Sequence, residues 1–374
     1  MPLRRSSPLG LDLGPEENVR VAVPEIERGE AAIFELSVIV PARNEEAVLG
    51  GCLASLLRQD DAVTFSLGRD WELLIVDDDS SDGTRAIAEQ AAAEHAGVAV
   101  LSAPPLDTKL FTGKSNGCWF AAQQARGRWL LFTDADTLHE PASIVHALHE
   151  AKKHHASLLS YSPRQIVKGI AQHTLMPLVF SELATVYPTA QVNDPERRLA
   201  AANGQFLLVE REAYFAVGGH RAVGKSVLED VDLAFNMKRS KRTIRFRYAP
   251  DALSTRMYRG FRDMVEGWTK NLALLFPHAL ALAAWRFLDV VLLLLPLLIV
   301  ALPYLVLWQQ VAILLLWVRT LFRFYSRVAR SHFPFIDCAF SVFGLPLFIA
   351  LLVRSWMKHK LFHQVAWKGR DYKT

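Results

Sequence analysis

Four short apolar runs, each followed by a polar loop and then a helical pattern, constrain this chain more than any other feature. They are residues 36–40 (LSVIV), 71–76 (WELLIV), Val98–Ser102 (VAVLS) and 129–133 (WLLFT). Runs of this length without polar alternation predict strands buried on both faces. A pattern carrying Val48, Leu53, Leu56 and Leu57, an Ala-rich stretch over 85–95, and residues 114–126 predict the intervening helices. Strand, loop and helix in repetition predict an α/β fold with a doubly wound, mainly parallel sheet. Such sheets bind ligands at the carboxyl ends of their strands. The first, second and fourth runs end in polar clusters. Further on the order is less regular: 157–162, 205–209 and 243–248 predict strands, and Glu229–Arg239 a helix.

Hydrophobic residues make up 51% of the chain, and the excess is concentrated beyond Asn271. Residues 287–302, 304–318 and 335–353 are apolar runs bordered by Arg319, Arg323, Arg327, Arg330, Lys358, Lys360, Lys368, Arg370 and Lys373. Apolar runs with basic flanks predict transmembrane segments with those flanks on the cytosolic side. Three full crossings would put the basic tail outside, against that rule. An even number of spans, with a cytosolic tail, is therefore expected; a re-entrant or interfacial run would also satisfy it. The expected organisation is an N-terminal arm over 1–33, a catalytic domain over 34–271, a membrane region over 272–356 and a basic tail over 357–374. No apolar run precedes Leu36, so no signal peptide is expected.

A net charge of +4 does not point to nucleic acid, which calls for clustered basic faces. Cys52, Cys118 and Cys338 are too far apart for a zinc motif and read as buried apolar side chains. His146, His149, His154 and His155 have no carboxylate partner at readable spacing and read as a solvated face.

Chemistry is concentrated in three acidic segments. Asp134 and Asp136 flank Ala135 at the end of the fourth run, where alternate carboxylates in a turn can reach one hard divalent cation and neutralise a diphosphate. Asp77, Asp78 and Asp79 follow the second run directly. Helix capping accounts for Ser81 and Asp82, but not for a carboxylate run at the end of a buried strand, which a ribose or base ligand would justify. Glu229 and Asp230 open a predicted helix, where acidic residues also suit the macrodipole. Gly113-Lys114-Ser115 is not a phosphate-binding P-loop, because the required upstream glycine position is Thr108.

Taken together, LSVIVPARNEE, VDDDSSDGT and FTDADTLHEP, in this order, resemble glycosyltransferase family 2 with its GT-A fold, over about 36–271. The resemblance implies that Pro41, Arg43, Glu45, Asp77 and Asp78 hold the nucleotide. It implies that Asp136, with Asp134, holds Mg2+ or Mn2+ on the diphosphate, and that Lys114 lies near the nucleotide sugar. VLEDVDL resembles the family's Glu-Asp motif, making Asp230 the general base beside Glu229. Gly204 is a candidate for the acceptor wall. Trp268 could stack on a sugar or lipid headgroup, and Lys270 could pair with diphosphate. The chain departs from the family in having Asp79 where Gly is common. It also lacks the Arg-Trp element of processive polysaccharide synthases, and is more similar to bacterial enzymes that glycosylate lipids such as carotenoid acids. The implied activity is transfer from a UDP-sugar, or a GDP-sugar, to a lipid acceptor at the inner cell membrane, with the catalytic domain cytosolic. A processive synthase and a non-catalytic scaffold are the alternatives.

Overall fold

The structure, a computed structural model, describes residues 34–59, 65–300, 302, 305–362, 364–367 and 370–373. The arm expected over 1–33 lies outside them, and the basic tail is described in part. Strands and helices alternate as the apolar runs predict: β1 (Phe34–Ala42), α1 (Glu46–Leu57), β2 (Trp71–Asp77), α2 (Thr84–Glu94), β3 (Val98–Ser102), α3 (Gly113–Gln124) and β4 (Gly127–Phe132). Then come β5 (Thr137–His139), α4 (Ser143–Lys153), β6 (Leu158–Ser162), β7 (Arg164–Gln165) and α5 (Ile170–Val186). Beyond them lie α6 (Thr189–Val192), β8 (Leu207–Glu210), α7 (Arg211–Ala216), α8 (Gly219–Ala222), α9 (Glu229–Arg239), β9 (Ile244–Tyr248) and β10 (Leu253–Thr255). The remaining helices are α10 (Phe261–Leu275), α11 (Ala279–Val300), α12 (Leu307–Val328), α13 (Phe335–Phe340) and α14 (Leu345–Lys360).

The chain forms two compact units. Among the described residues, one contains those up to Ile166 and Thr189–Met257; the other contains Val167–Pro188 and those from Tyr258 onward. The first holds a seven-stranded sheet of order β3-β2-β1-β4-β8-β6-β9. All its neighbouring strands pair parallel except around β8, which runs antiparallel to both β4 and β6. Leu36, Val38 and Val40 of β1 and Leu73 and Ile75 of β2 are buried in one core with Leu49, Leu53 and Leu56 of α1. A small second sheet, β5-β10-β7, was not legible in the sequence.

The start of β4 is pinned by a buried carboxylate. Glu72 of β2 accepts from Ser37 Oγ at 2.7 Å, from the Arg126 backbone N–H at 2.7 Å and from the Arg126 guanidinium at 2.7 and 3.1 Å. Satisfying each lone pair in this way is what makes a buried charge tolerable. Gly127 comes next, and a Cβ there would overlap the backbone of Leu36 and Ser37. Gly127→Ala is expected to cost on the order of 3 kcal/mol through overpacking, read as a lowered unfolding midpoint. Gly50→Ala on α1 meets nothing within 4 Å and should raise stability by about 0.5–1 kcal/mol.

In the other unit, α5 is held by residues far along the chain. His173 Nδ1 lies 2.7 Å from Asp337 Oδ1, Gln172 Nε2 donates to Tyr258 O at 3.2 Å, and Tyr187 OH donates to Leu275 O at 3.0 Å. A Cβ on Gly344 would run into the Thr174 backbone, so glycine lets this turn sit directly on α5. Two apolar segments, Ala279–Val300 and Phe335–Lys360, are long enough to cross a membrane. The second is interrupted by a 3-10 turn at Ser341–Gly344, and its Leu345, Phe348, Leu351 and Leu352 are buried in the unit.

Candidate active site

The parallel register pairs Ala42 with Asp77, so β1 and β2 end level and their following loops meet. They are stitched by side chain to backbone bonds. Asn44 Oδ1 accepts from the Ser81 N–H at 2.9 Å, the Glu45 N–H donates to Thr84 Oγ1 at 2.7 Å, and Glu46 Oε2 accepts from the Gly83 N–H at 3.0 Å. Arg43 Nη1 donates to Asp78 O at 2.6 Å and lies 3.9 Å from Asp78 Oδ2. Asp77 is buried, with Arg85 Nη1 at 3.7 Å. Asp79 has φ 57°. That left-handed conformation is where glycine is the default and Asp among the better-tolerated substitutes, which accounts for this departure from the family pattern. Pro41, Arg43, Glu45, Asp77 and Asp78 are thereby gathered at one strand-end rim.

The second acidic segment leaves β4 in a turn closed by the Thr137 N–H donating to Asp134 O at 3.1 Å. Thr255 Oγ1 on β10 donates to Asp136 O at 3.3 Å, and Thr133 Oγ1 donates to Gln205 O at 2.8 Å. Burial, with the Asp136 and Asp134 charges behind it, pushes the nearby Cys52 thiol far up, so it is no nucleophile. All three cysteines are buried and unpaired. Sequence reasoning missed the bracing role of Thr133, Gln205 and Thr255, and of His139, whose Nε2 lies 3.0 Å from Thr133 Oγ1 and whose ring burial holds at about 3. The polar residues flanking Asp134-Ala135-Asp136 were the available signal.

The third segment joins the second through one lysine. Lys114 sits in the first turn of α3, whose N-cap Thr112 accepts from the Ser115 N–H. Its Nζ lies 2.8 Å from Asp134 Oδ1 and 3.1 Å from Glu229 Oε1. Burial alone would lower this amine, but the two carboxylates outweigh it and hold it well above the usual lysine range. Asp230 accepts from the Gly204 N–H at 2.7 Å through Oδ2 and from the Val231 N–H at 2.8 Å through Oδ1. Burial, then the neighbouring Glu229 charge, push the Asp230 carboxyl up to about 7, against the opposing pull of Lys114 and the two N–H groups. A Cβ on Gly204 would lie 2.8 Å from Lys114 Nζ and 3.5 Å from Asp230 Oδ2, so this glycine leaves room for both side chains.

Asp134, Lys114, Glu229, Asp230 and Gly204 thus form one contact chain. Among the described residues no three His, Cys, Asp or Glu are grouped to hold a metal unaided. Two carboxylates at alternate positions are hard oxygen donors, and they suit a small divalent cation that completes its shell with phosphate oxygens and water. Trp268 and Lys270 fall in the other unit. Trp268 is 2% exposed, packed edge-on against Phe180 and Tyr258. The stacking role expected for it is therefore corrected to a packing role, because neighbouring rings already enclose its own. The four clustered histidines are exposed, as a solvated face requires.

Comparison with known proteins shows the family and the fold. The sequence model of the family described as Glycosyl transferase family 2 matches residues 37–231. A 4,4'-diaponeurosporenoate glycosyltransferase of Staphylococcus haemolyticus is 29% identical over 243 residues, covering 64% of this chain and 61% of that relative, less than two thirds of its length. The protein of the same name in Staphylococcus aureus is 25% identical over 350 residues, 90% of this chain and 88% of its own. Among solved structures, a mannosyltransferase of Pyrobaculum calidifontis, in complex with GDP-Man and Mn2+, superposes with a TM-score of 0.54 at 17% identity, over 88% of this chain and 87% of the other. That likeness is one of fold, the GT-A fold that the motifs imply.

Proposed function

Since the chain belongs to glycosyl transferase family 2 and is a glycosyltransferase, we propose that it moves a sugar, with inversion, from a nucleotide-sugar to a lipophilic acceptor at the cytosolic face of a membrane. The observation that carries this is the contact chain from Asp134 through Lys114 to Glu229 and Asp230. It joins a diphosphate-side carboxylate to a cation and that cation to Glu229, the residue next to the base candidate, which the Gly204 N–H holds in place. In this reading Arg43, Asp77 and Asp78, with Pro41 and Glu45, form the nucleoside rim. Asp134 and Asp136 hold Mg2+ or Mn2+, which when bound neutralises charge on the leaving diphosphate. Lys114 orients the diphosphate end. Asp230, fixed by the Gly204 N–H, removes a proton from the acceptor oxygen as that oxygen attacks the anomeric carbon.

The relatives' names support a carotenoid-acid type of acceptor, and the mannosyltransferase likeness supports a nucleotide-sugar with a divalent cation. A UDP-sugar is the first donor to offer and a GDP-sugar the second. Detergent-solubilised protein supplied with such a panel, Mn2+ or Mg2+ and lipid extract should release one nucleoside diphosphate, stimulated by lipid. No turnover, together with no metal-dependent nucleotide binding, would return the chain to a scaffold role.

The Asp230 carboxyl titrates near 7 and must be ionised to accept a proton. The value of kcat/KM for a hydroxyl acceptor should therefore rise with pH and level off above about 7, with about a tenth of the plateau remaining one unit below. A flat profile between pH 5.5 and 8 for such an acceptor would remove Asp230 from the base role.

A further inference from the structure

The helical hairpin α11–α12 bears on how the protein meets lipid, and the inference rests on the proposed placement at a bilayer. Its open end is closed by charges. Arg286 Nη1 lies 3.1 Å from Glu182 Oε1 on α5 and 3.0 Å from Asp289 Oδ2, while Arg327 Nη2 on α12 lies 2.7 Å from the same Asp289 oxygen. Two guanidinium groups and two carboxylates cancel, which lets them sit at a membrane boundary with little outward field. Along α12 and just beyond it, Arg319, Arg323 and Arg330 are exposed, suited to anionic headgroups.

Between Asp289 and Arg319 lie 29 residues with no charge and no histidine. Crossing a bilayer twice takes roughly 40 apolar residues. Measured from the first charge on each arm, Asp289 and Arg319, α11 has about 16 Å left and α12 about 18 Å, at 1.5 Å per residue, against a hydrocarbon core of about 30 Å. The tip is strongly apolar and open: Leu298 is 68% exposed, Val306 53%, Leu307 75% and Trp308 70%. Three of its backbone donors are satisfied within the chain. The Leu302 N–H donates to Ile299 O at 3.0 Å, the Leu305 N–H to Leu302 O at 3.4 Å, and the Val306 N–H to Gln309 Oε1 at 3.2 Å. Lipid demands this of a turn and water does not. Trp317 Nε1 also donates across the hairpin to Leu293 O at 2.9 Å.

We propose that α11–α12 enters one leaflet, with its tip among the acyl chains and its charge network at the headgroups, and returns without crossing. Both ends of the hairpin then lie on one face. The multi-pass arrangement expected from the apolar runs gives way to a monotopic one. It also keeps the basic tail on the cytosolic side, since the second apolar segment packs into its own unit.

The test is cysteine accessibility in the full-length protein, where the three native cysteines are buried. Leu305→Cys and Phe362→Cys are each exposed to a membrane-impermeant maleimide in right-side-out and inverted vesicles. Cys replacement of Leu302 serves as a second tip position should the first fail to fold. The proposal predicts that the tip is labelled from neither face until detergent is added, that a nitroxide there reports a depth near the bilayer centre, and that position 362 is labelled only from the cytosolic side. Labelling of the tip from either face, or of position 362 from outside, overturns it while leaving membrane attachment intact. Release of the protein by an alkaline wash would overturn the membrane reading itself, and this proposal with it.

Discussion

Asp230→Asn will bind donor nucleotide about as well as the wild type, yet turn over on the order of a thousandfold more slowly with a hydroxyl acceptor. The asparagine is isosteric and its oxygen can still accept from the Gly204 N–H, so the local fold is kept. What disappears is the proton acceptor, and general-base catalysis contributes about 10²–10⁴-fold; a thousandfold loss is about 4 kcal/mol of barrier. The measurement is single-turnover transfer set beside nucleotide affinity from calorimetry. Retention of full rate would dismiss the base assignment. The size of the loss also reports on the acceptor. A carboxylic acid is already ionised at neutral pH and needs no base. A small effect with a carotenoid acid and a large one with an alcohol would therefore mark the acid as the natural acceptor type.

Asp136→Ala should abolish transfer, by roughly a thousandfold or more, and should remove the enhancement of nucleotide binding by Mn2+ or Mg2+. A Lewis-acid cation supplies several kcal/mol of charge stabilisation on a departing diphosphate, and among the described residues no group of three or more His, Cys, Asp or Glu offers a substitute site. The two aspartates are not equivalent. Asp134 is engaged by Lys114, so Asp134→Ala also releases that amine toward Glu229 and should disturb the Asp230 titration, whereas Asp136→Ala should leave it in place. If metal-stimulated nucleotide binding survived Asp136→Ala, the cation would have to be held elsewhere.

The strands β1 to β4 were readable because each is an unbroken apolar run buried on both faces, and no local rule competes with that signal. Helix α9 was readable to its bounds, Glu229–Arg239, because acidic residues crowd its first turn and basic ones its last. The antiparallel insertion of β8 between β4 and β6 was not, because strand order depends on long connections that local pattern does not encode. Within the site, the residue types were legible and their partnerships were not. Nothing local to Lys114 announces that its amine bridges Asp134 and Glu229. Trp268 misled for a related reason: an aromatic beside an apolar segment reads equally well as a ligand platform or as packing, and only Phe180 and Tyr258 decide it.

Helix α5 interrupts the catalytic unit in sequence but belongs to the other one, which has a consequence for biogenesis. It leaves the ribosome long before its partners exist. At about 5–20 residues per second, the chain from the end of α5 to the end of α14 takes on the order of ten seconds or more to appear. Until α10 and the helices after it emerge, Leu175, Met176, Leu178 and Val179, all buried in the finished protein, have nothing of their own unit to cover them. Synthesis beside a membrane, or in the grip of a chaperone, would protect that surface. A gene shortened after residue 271 would make the wait permanent, so a well-behaved soluble catalytic fragment would need α5 redesigned as well as the C-terminal helices removed.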